Sequence, residues 1–474
     1  MTRDPSYAAV MARRDAIVRA SVGIDYAAYR TGVLAFDYER LLADTGYDIQ
    51  TAAAIQAHTA VGRTPLVELE NLTRLVRSTA SAGKGARIFV KDEAANPSGS
   101  FKDRRASLSV HEAHQRGVPG VAAATSGNYG AAIASQAAKA GLRCIVVQEA
   151  FDSAGIAQPE IAEKTRACEA YGAEVLRLSV GPELFYVFLR VLEETGFFNA
   201  SLYTPYSILG IETLGFELAQ DLLARTGRFP DMVVTTHAGG GNVTGTARGL
   251  AAAGADETTM VAASVDLSGL HMASDRDFNR KSFTTGHTGF SIPFTTSPDR
   301  VDVPHNAARA LRYMDRFVTV SQGEVFYATQ ALAELEGMER GPAGNTSLAA
   351  ALCLARELDR NATLVVQETE YTGAGKHPMA QLTLARQLGV RIERGDPATS
   401  RPGESIVIPE RLEQIRAVDV DLDALRRAYV RNALAAAPTG LPLEAADLAF
   451  LAAETRTKPD VVQEMIDAHH ASTR

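Results

Sequence analysis

The chain has 474 residues, of which 46% are hydrophobic and 22% charged, a composition that excludes wholesale disorder. Its 48 basic and 56 acidic side chains give a formal net charge of −8, so binding to a nucleic-acid backbone is not expected. Cys144, Cys168 and Cys353 lack the spacing of a zinc site or a disulfide framework. The segment 1–23 has no signal-peptide core, and no stretch approaches the roughly 18 uncharged apolar residues of a membrane span. We therefore expect a cytoplasmic enzyme of roughly two or three folding units.

Apolar periodicity predicts the elements in chain order. Residues 8–22 and 38–42 have the spacing of helices. From about residue 86, β-branched runs alternate with amphipathic segments, which is typical of βαβ units and a parallel sheet. The predicted strands are 88–91, 121–125, 144–148, 174–178, 232–236, 260–265 and 363–367, and the predicted helices are 130–140, 160–171, 183–195, 212–225, 346–358 and 379–388. Residues 268–312 interrupt the alternation and predict an ordered insert at an active site.

The most informative motif is the run KDEAANPSGSFKDRRA at 91–106. It combines a strand end, a Pro-Ser-Gly-Ser turn and a helix start, which places Lys102 in the first helical turn. Open α/β sheets bind ligands at that carboxyl edge of the strands. The helix dipole and the neighbouring Arg104 and Arg105 would lower the pKa of Lys102 and favour the neutral amine that forms a Schiff base. Taken alone, Lys102 would also fit an ordinary solvated lysine.

Two later loops favour an active-site role for this lysine. The run ATSGNYGAA at 124–132 leads from a strand through Ser-Gly-Asn into a helix, and its N–H groups suit a carboxylate or phenolic oxygen. The run THAGGGNVTG at 236–245 places three glycines before a helix, where the backbone can approach an anion closely. Thr244 occupies the place of the third glycine of the dinucleotide fingerprint, which disfavours an NAD-dependent dehydrogenase. The triglycine run alone would also fit a tight turn.

Together these three segments resemble the fold type II family of pyridoxal-phosphate enzymes, which includes tryptophan synthase β and threonine synthase. The resemblance spans about 62–395 and is most specific at NPSGSFKDR. The residues that it implies for pyridoxal 5′-phosphate are Lys102 at the Schiff base, Gly239, Gly240, Gly241 and Asn242 at the phosphate, Asn128 at the phenolic oxygen and Thr372 at the pyridine nitrogen. Those that it implies for the substrate carboxylate are Ser126, Gly127 and Tyr129. No metal is expected.

The same resemblance implies an α/β fold with two open, mostly parallel sheets flanked by helices. It implies a helical N-terminal extension at 1–61, a large cofactor-binding domain at 62–95 and 200–398, and a small domain at 96–199. A helical C-terminal tail is expected at 399–474, with helices predicted at 410–432 and 443–470 from their charged amphipathic pattern.

A closer resemblance, carried by NASLYTPYSILGIETLG, SFTTGHTGFSIPF and VVQETEYTGAGKH, is to the β subunits of 2-amino-4-oxopentanoate thiolase. That family acts in anaerobic ornithine degradation. The resemblance implies cleavage of 2-amino-4-oxopentanoate by coenzyme A to acetyl-CoA and alanine, with a small α subunit as partner. We also expect a homodimer, and neither nucleic acid nor a membrane as partner. The alternatives are another fold type II enzyme, such as a threonine synthase or β-replacement lyase, and a binding module without activity.

Thiolate addition to the C4 carbonyl also requires a hydrogen-bond donor for the oxyanion. The candidates are His271, His287 and Tyr371. A cysteine acyl carrier is not expected, because Cys144 falls in a strand and Cys168 on an alanine-rich helix, where a small buried residue is usual. Basic residues of the insert would suit the phosphates of coenzyme A, although a solvated loop face is the favoured interpretation; they are Arg276, Arg280 and Lys281.

Overall fold

The computed structural model describes residues 4–125, 127–181, 183–270, 275–284, 291–297, 299–371, 377–438 and 441–472. Its strands are β1 (Leu66–Glu68), β2 (Arg87–Asp92), β3 (Gly120–Thr125), β4 (Arg143–Phe151), β5 (Glu174–Ser179), β6 (Phe198–Asn199), β7 (Met232–Thr236), β8 (Thr259–Val265), β9 (Arg316–Val320), β10 (Thr363–Glu368), β11 (Arg391–Arg394), β12 (Ser405–Ile408) and β13 (Val418–Asp419).

Helices connect most of these strands and form both ends of the described chain. They are α1 (Tyr7–Ala12), α2 (Arg14–Val22), α3 (Tyr38–Ala43), α4 (Ile49–His58), α5 (Glu70–Thr79), α6 (Lys102–Gln115), α7 (Asn128–Ala140), α8 (Pro159–Ala170), α9 (Glu183–Thr195), α10 (Pro205–Thr226), α11 (Gly241–Ala252), α12 (Ser291–Thr295), α13 (Ala310–Tyr313), α14 (Gln322–Glu336), α15 (Asn345–Leu354), α16 (His377–Gln387), α17 (Leu422–Ala436), α18 (Ala445–Thr455) and α19 (Pro459–Ser472). No helix of the described ranges is long and apolar enough to cross a membrane.

Two main sheets organise the fold. The larger has the strand order β1-β2-β10-β7-β8-β9-β13, and its five inner strands are parallel, while β1 and β13 pair antiparallel at the edges. The smaller has the order β5-β4-β3-β6 with all strands parallel, and β11 pairs with β12 separately. The expectation of two open, mostly parallel sheets flanked by helices is confirmed. The domain boundaries stay a prediction.

The larger sheet is covered on both faces, which explains its continuous apolar strands. In β2, Ile88 and Val90 pack into one hydrophobic cluster, and Phe89 between them packs into the cluster on the opposite face. This alternation is that of a strand whose successive side chains point to opposite faces. Helices α14 and α15 contribute to the first cluster, and α10, α11 and α17 to the second. Because helices cover both faces of the larger sheet, its open carboxyl edge is where the loops that carry the site residues begin.

The N-terminal helix predicted over 8–22 is two helices instead of one. α1 and α2 are separated at Arg13, whose backbone leaves the helical conformation. The guanidinium of Arg13 pairs with Glu193 of α9, with 2.6 Å between Nε and Oε1. This long-range ion pair was not apparent from helical spacing, which continues through the break.

The C-terminal tail also departs from its predicted helices. The helix predicted to begin at 410 begins at Leu422, because Val418–Asp419 form the edge strand that pairs with β9. The helix predicted over 443–470 is divided into α18 and α19. Arg456 ends α18 in the left-handed conformation, and Pro459, which has no backbone N–H to continue a helix, begins α19.

Polar contacts hold this tail against the N-terminal region. The Asp447 carboxylate of α18 accepts hydrogen bonds from the backbone N–H groups of Leu34 and Ala35, at 2.7 and 2.8 Å. Arg309 pairs with Glu454 of the same helix. Apolar residues of α17, α18 and α19 join the hydrophobic cluster that contains Phe89. The tail is therefore packed on the larger sheet and on the beginning of the chain.

Candidate active site

Lys102 is the first residue of α6 and follows the loop that leaves β2 at Asp92. The N–H of Phe101 donates to the carbonyl of Thr369, which follows β10, at 3.0 Å. The side chain of Ser100 accepts from the N–H of Lys102 at 3.3 Å. Because β2 and β10 are parallel neighbours, these bonds place Lys102 at the carboxyl edge of the larger sheet.

One cavity of about 410 Å³ brings the three predicted segments together. It is lined by Lys102, by Gly127, Asn128 and Tyr129, and by Gly239, Gly240, Gly241 and Asn242. Of the predicted site residues, Ser126 and Thr372 lie outside the described residues. The described residues that line a shallower depression between α8 and α16 all have uncharged side chains. The first cavity is therefore the candidate active site.

The surroundings of Lys102 favour its neutral amine. They hold its pKa well below the ordinary value, chiefly because the side chain is shielded from water. The positive charges of Arg105 and Lys164 lower the pKa further, and the Glu370 carboxylate opposes them. The neutral amine is the form that attacks an aldehyde, and a lowered pKa increases its share. The pKa of Lys102 is therefore lowered, as the sequence predicts.

Arg104 does not contribute to this shift as expected. Residues two apart on a helix face different sides, and Arg104 points away from Lys102 into a buried ion cluster. Its Nε lies 2.7 Å from Glu93, and its Nη1 lies 3.1 Å from Glu217, which also pairs with Lys91 at 2.5 Å. Burial would raise the pKa of Glu217, but these two cations lower it to about 2. The cluster ties the start of α6 to β2 and α10.

Asn128 begins α7 and is held by a network that the sequence did not reveal. Its side-chain amide donates to the Glu370 carboxylate, and its Oδ1 has no partner among the described residues. Lys164 of α8 pairs with Glu160 and lies 3.9 Å from Glu370. Burial would lower the pKa of Lys164, but the two carboxylates raise it. In the sequence, Glu160 and Lys164 form an ordinary i,i+4 pair, a pattern that usually indicates a solvated helix face.

The glycine loop connects β7 to α11. Gly240 has a left-handed φ of +87° and is the N-cap of α11, so the first N–H groups of the helix lie at the cavity. The Asn242 side chain donates to the carbonyl of Thr236 at 3.2 Å and steadies the loop. These N–H groups and the positive end of the helix dipole suit an anion.

Glu149, at the end of β4, is a further titratable group of the cavity. Burial raises its pKa to about 7, although a hydrogen bond from the N–H of Gly181 opposes the shift. The folded protein thus retains a proton that the unfolded chain releases at a lower pH. The stabilisation that this proton provides is complete below the unfolded pKa of about 4.5 and is lost as the pH rises to about 7.

We predict that Glu149→Gln, which stays neutral, gains stability relative to the unmodified protein as the pH rises. Its advantage should grow by about 1 to 3 kcal/mol between pH 5 and pH 8. Calorimetric unfolding at both pH values measures the change. Glu174→Gln, at an exposed carboxylate of β5, is the matched control and should show no such growth. An advantage that does not depend on pH would contradict the shifted pKa.

The cysteines and the oxyanion candidates fall largely outside this cavity. Burial raises the pKa of the Cys144 and Cys168 thiols to about 12, and neither residue lines the cavity. Tyr371 does not line it either, and His271 and His287 are not among the described residues. Among the residues that the structure describes, no cluster of His, Cys, Asp or Glu side chains is arranged to hold a metal ion.

The insert at 268–312 contributes directly to the cavity through its described parts. Phe294, Arg300 and Val301 are among the lining residues. Arg280 pairs with Asp277 and with the buried Asp152, which follows β4, and Lys281 pairs with Asp275. The insert therefore supplies walls of the cavity, and these two cations are held in ion pairs.

Comparisons with known proteins agree with this geometry. Residues 57–370 match the family described as pyridoxal-phosphate dependent enzyme. The chain is 61% identical over 466 residues to a 2-amino-4-ketopentanoate thiolase beta subunit from an unknown prokaryotic organism, covering 98% of each chain. It is 58% identical over 466 residues to the 2-amino-4-ketopentanoate thiolase beta subunit of Acetoanaerobium sticklandii, covering 98% of this chain and 99% of that protein.

A solved structure shares this fold. The O-ureido-L-serine-bound mutant of O-ureido-L-serine synthase superposes with a TM-score of 0.51 at 23% identity, over 68% of this chain and 90% of that one. Such a likeness concerns the fold alone, whereas the two relatives match over nearly the whole chain. The chain therefore belongs to the pyridoxal-phosphate dependent enzymes and, within them, to the family of the 2-amino-4-ketopentanoate thiolase beta subunits.

Proposed function

We propose that this chain cleaves 2-amino-4-oxopentanoate with coenzyme A to give acetyl-CoA and alanine. The bond between C3 and C4 breaks, the acetyl group passes to the thiol sulfur, and C3 receives a proton, so the reaction balances without water or a redox partner. One observation carries the proposal at this site: a lysine with a lowered pKa and the triglycine loop share one cavity. The relatives named for this substrate match the chain across both segments.

The cavity fits pyridoxal 5′-phosphate. Lys102 would hold its aldehyde, and Asn128 would contact its phenolic oxygen. Gly239, Gly240, Gly241 and Asn242 would bind its phosphate through the start of α11. When bound, the cofactor supplies an electron sink for the charge that develops when C3–C4 breaks. The chain itself must then move protons and keep water away from the acetyl group.

Lys102 is the proposed proton carrier. Its lowered pKa lets the neutral amine accept the proton at the Cα of the substrate, and the resulting cation can return a proton at C3. Lys164, held between Glu160 and Glu370, stays charged and lines the same cavity. The pKa values of the two lysines thus shift in opposite directions although they share one site, because burial dominates at Lys102 and the carboxylates of Glu160 and Glu370 dominate at Lys164.

Transfer to a thiol instead of water requires a dry site. The cavity walls include Leu184, Phe185, Leu202 and Phe294, which offer no hydrogen-bonding side chain to water. An apolar wall also suits the thiol-bearing arm of coenzyme A, which must reach the substrate carbonyl. This apolar part of the wall would limit the access of water to the acetyl group.

We also propose the assembly and the location of the enzyme. Both named relatives are beta subunits, so we propose that this chain works with a small alpha subunit. We further propose that the chain forms a homodimer and acts in the cytoplasm. Ser126, Gly127 and Tyr129 stay the proposed contacts of the substrate carboxylate, and Thr372 that of the pyridine nitrogen.

The expected result is equal amounts of acetyl-CoA and alanine from 2-amino-4-oxopentanoate and coenzyme A. The chain is to be prepared with its alpha subunit and pyridoxal 5′-phosphate, and both products followed by chromatography. Omission of coenzyme A should abolish alanine formation, because no acceptor for the acetyl group remains. Phosphate release from O-phosphohomoserine, or β-substitution of an activated serine, without acetyl-CoA formation would instead favour the threonine synthase or β-replacement alternative.

A further inference from the structure

Arg105 is a buried cation of the active-site cavity, and no carboxylate of the described residues pairs with it. It is 2% exposed, and its Nε and Nη2 have no hydrogen-bond partner within the described part of the chain. Its neighbour Arg104 is equally buried but is paired with Glu93 and Glu217. Burial lowers the pKa of Arg105 to about 10, which still leaves it protonated at neutral pH. Burying an unpaired charge is strongly unfavourable, so this guanidinium indicates an anionic ligand.

The guanidinium lies against the triglycine loop. A Cβ at Gly241 would fall 1.6 Å from Nη2 of Arg105, and a Cβ at Gly239 would fall 1.7 Å from the hydroxyl of Tyr203. A side chain at either position would have to displace the end of the Arg105 or Tyr203 side chain, because both ends lie directly against the loop. The arginine thus meets the first residue of α11, where the helix already presents its N–H groups.

Lys102 and Arg105 lie three residues apart on α6, a spacing that places both on one face of a helix. Both line the cavity. The aldehyde and the phosphate-bearing carbon of pyridoxal 5′-phosphate are attached to neighbouring ring atoms. One face of α6 therefore offers an amine for the aldehyde and a guanidinium within reach of the phosphate.

We infer that Arg105 binds the phosphate of pyridoxal 5′-phosphate together with the first turn of α11, and that Tyr203 positions the guanidinium there. The ligand is a phosphomonoester dianion, which an arginine can contact through two parallel N–H groups. The Tyr203 ring centroid lies 5.8 Å from the Arg105 guanidinium carbon, so the ring packs beside the cation. The inference rests on the cofactor of the family and does not depend on the substrate.

The test compares pyridoxal 5′-phosphate with pyridoxal, which lacks the phosphate. The full-length chain is freed of cofactor and titrated with each compound by absorbance. Arg105→Gln should weaken binding of pyridoxal 5′-phosphate about 10-fold to 100-fold and leave pyridoxal binding unchanged. Arg105→Lys keeps the positive charge but loses the two parallel N–H donors, so it should weaken pyridoxal 5′-phosphate binding less than Arg105→Gln does. Arg248→Gln removes a cation of α11 that pairs with Glu212 outside the cavity, and this control should leave the ratio of affinities unchanged.

Equal weakening of both compounds, or no weakening of either, would overturn the inference. The inference would also be overturned if Arg105→Gln raised the KM for the amino acid but left the ratio of pyridoxal 5′-phosphate to pyridoxal affinity unchanged. That result would assign Arg105 to the substrate carboxylate. If Arg105→Gln does not fold, Arg105→Lys decides through the same ratio and through the phosphorus NMR signal of the bound cofactor, which should shift. A missing thiolase activity with a normal affinity ratio would overturn the proposed function and leave this inference standing.

Discussion

Replacement of Lys102 by alanine should lower the rate of acetyl-CoA formation by about 100-fold to 10,000-fold. The variant loses the amine that holds the cofactor and also the group that moves the proton at Cα. Steady-state assays with saturating pyridoxal 5′-phosphate measure the loss. Lys84→Ala, at an exposed lysine paired with Asp359, is the matched control and should keep its full rate.

A second readout of the same variant is independent of turnover. Borohydride should fix the cofactor irreversibly to one tryptic peptide of the unmodified chain, and mass spectrometry should place the added mass on Lys102. In Lys102→Ala that peptide should carry no added mass. Normal turnover of the variant, or labelling of Lys164 in the unmodified chain, would refute the role of Lys102.

Replacement of Glu93 by glutamine should lower the free energy of unfolding by about 3 to 5 kcal/mol. Glu93 is fully buried and accepts from Nε and Nη2 of Arg104 at 2.7 and 2.8 Å. It also accepts from the Thr64 hydroxyl at 2.5 Å. The variant removes one of the two carboxylate charges that pair with this buried guanidinium and one of its acceptor oxygens, so its desolvation is then poorly compensated.

Urea or thermal unfolding of the purified variant measures this loss. Asp359→Asn breaks the exposed pair with Lys84 and should cost no more than about 1 kcal/mol. A loss of similar size in both variants would show that the buried cluster contributes no more than a surface pair. Because the cluster ties α6 to β2, Glu93→Gln should also weaken cofactor binding by allowing Lys102 to move.

The sequence was most informative where the apolar pattern of an element is regular. The strand predicted over 232–236 coincides with β7, and the helix predicted over 183–195 coincides with α9. The continuous apolar run of β7 and the amphipathic spacing of α9 make their bounds visible without knowledge of the partners. Lys102 was placed at a helix start for a related local reason, because the Pro-Ser-Gly-Ser turn allows few continuations.

The features of the site that the sequence did not predict depend on contacts between residues far apart in sequence. Arg104 and Arg105 are adjacent, yet one joins a buried ion cluster and the other faces the cavity, which only the position of α6 decides. Lys164 lines the cavity because α8 packs beside α7. Helix α14 was not predicted, although Ser321 and Glu324 form a capping box that could have revealed its start.

The hydrogen bonds from Leu34 and Ala35 to Asp447 have a practical consequence for protein engineering. They make the first and last portions of the polypeptide mutually dependent, although more than four hundred residues separate them in sequence. A shortened gene that stops before α18 would uncover the apolar cluster that Leu451 and Val462 help to close, and would also release the segment that Asp447 holds. Changes made to promote crystallisation should therefore replace surface side chains and leave both terminal segments in place.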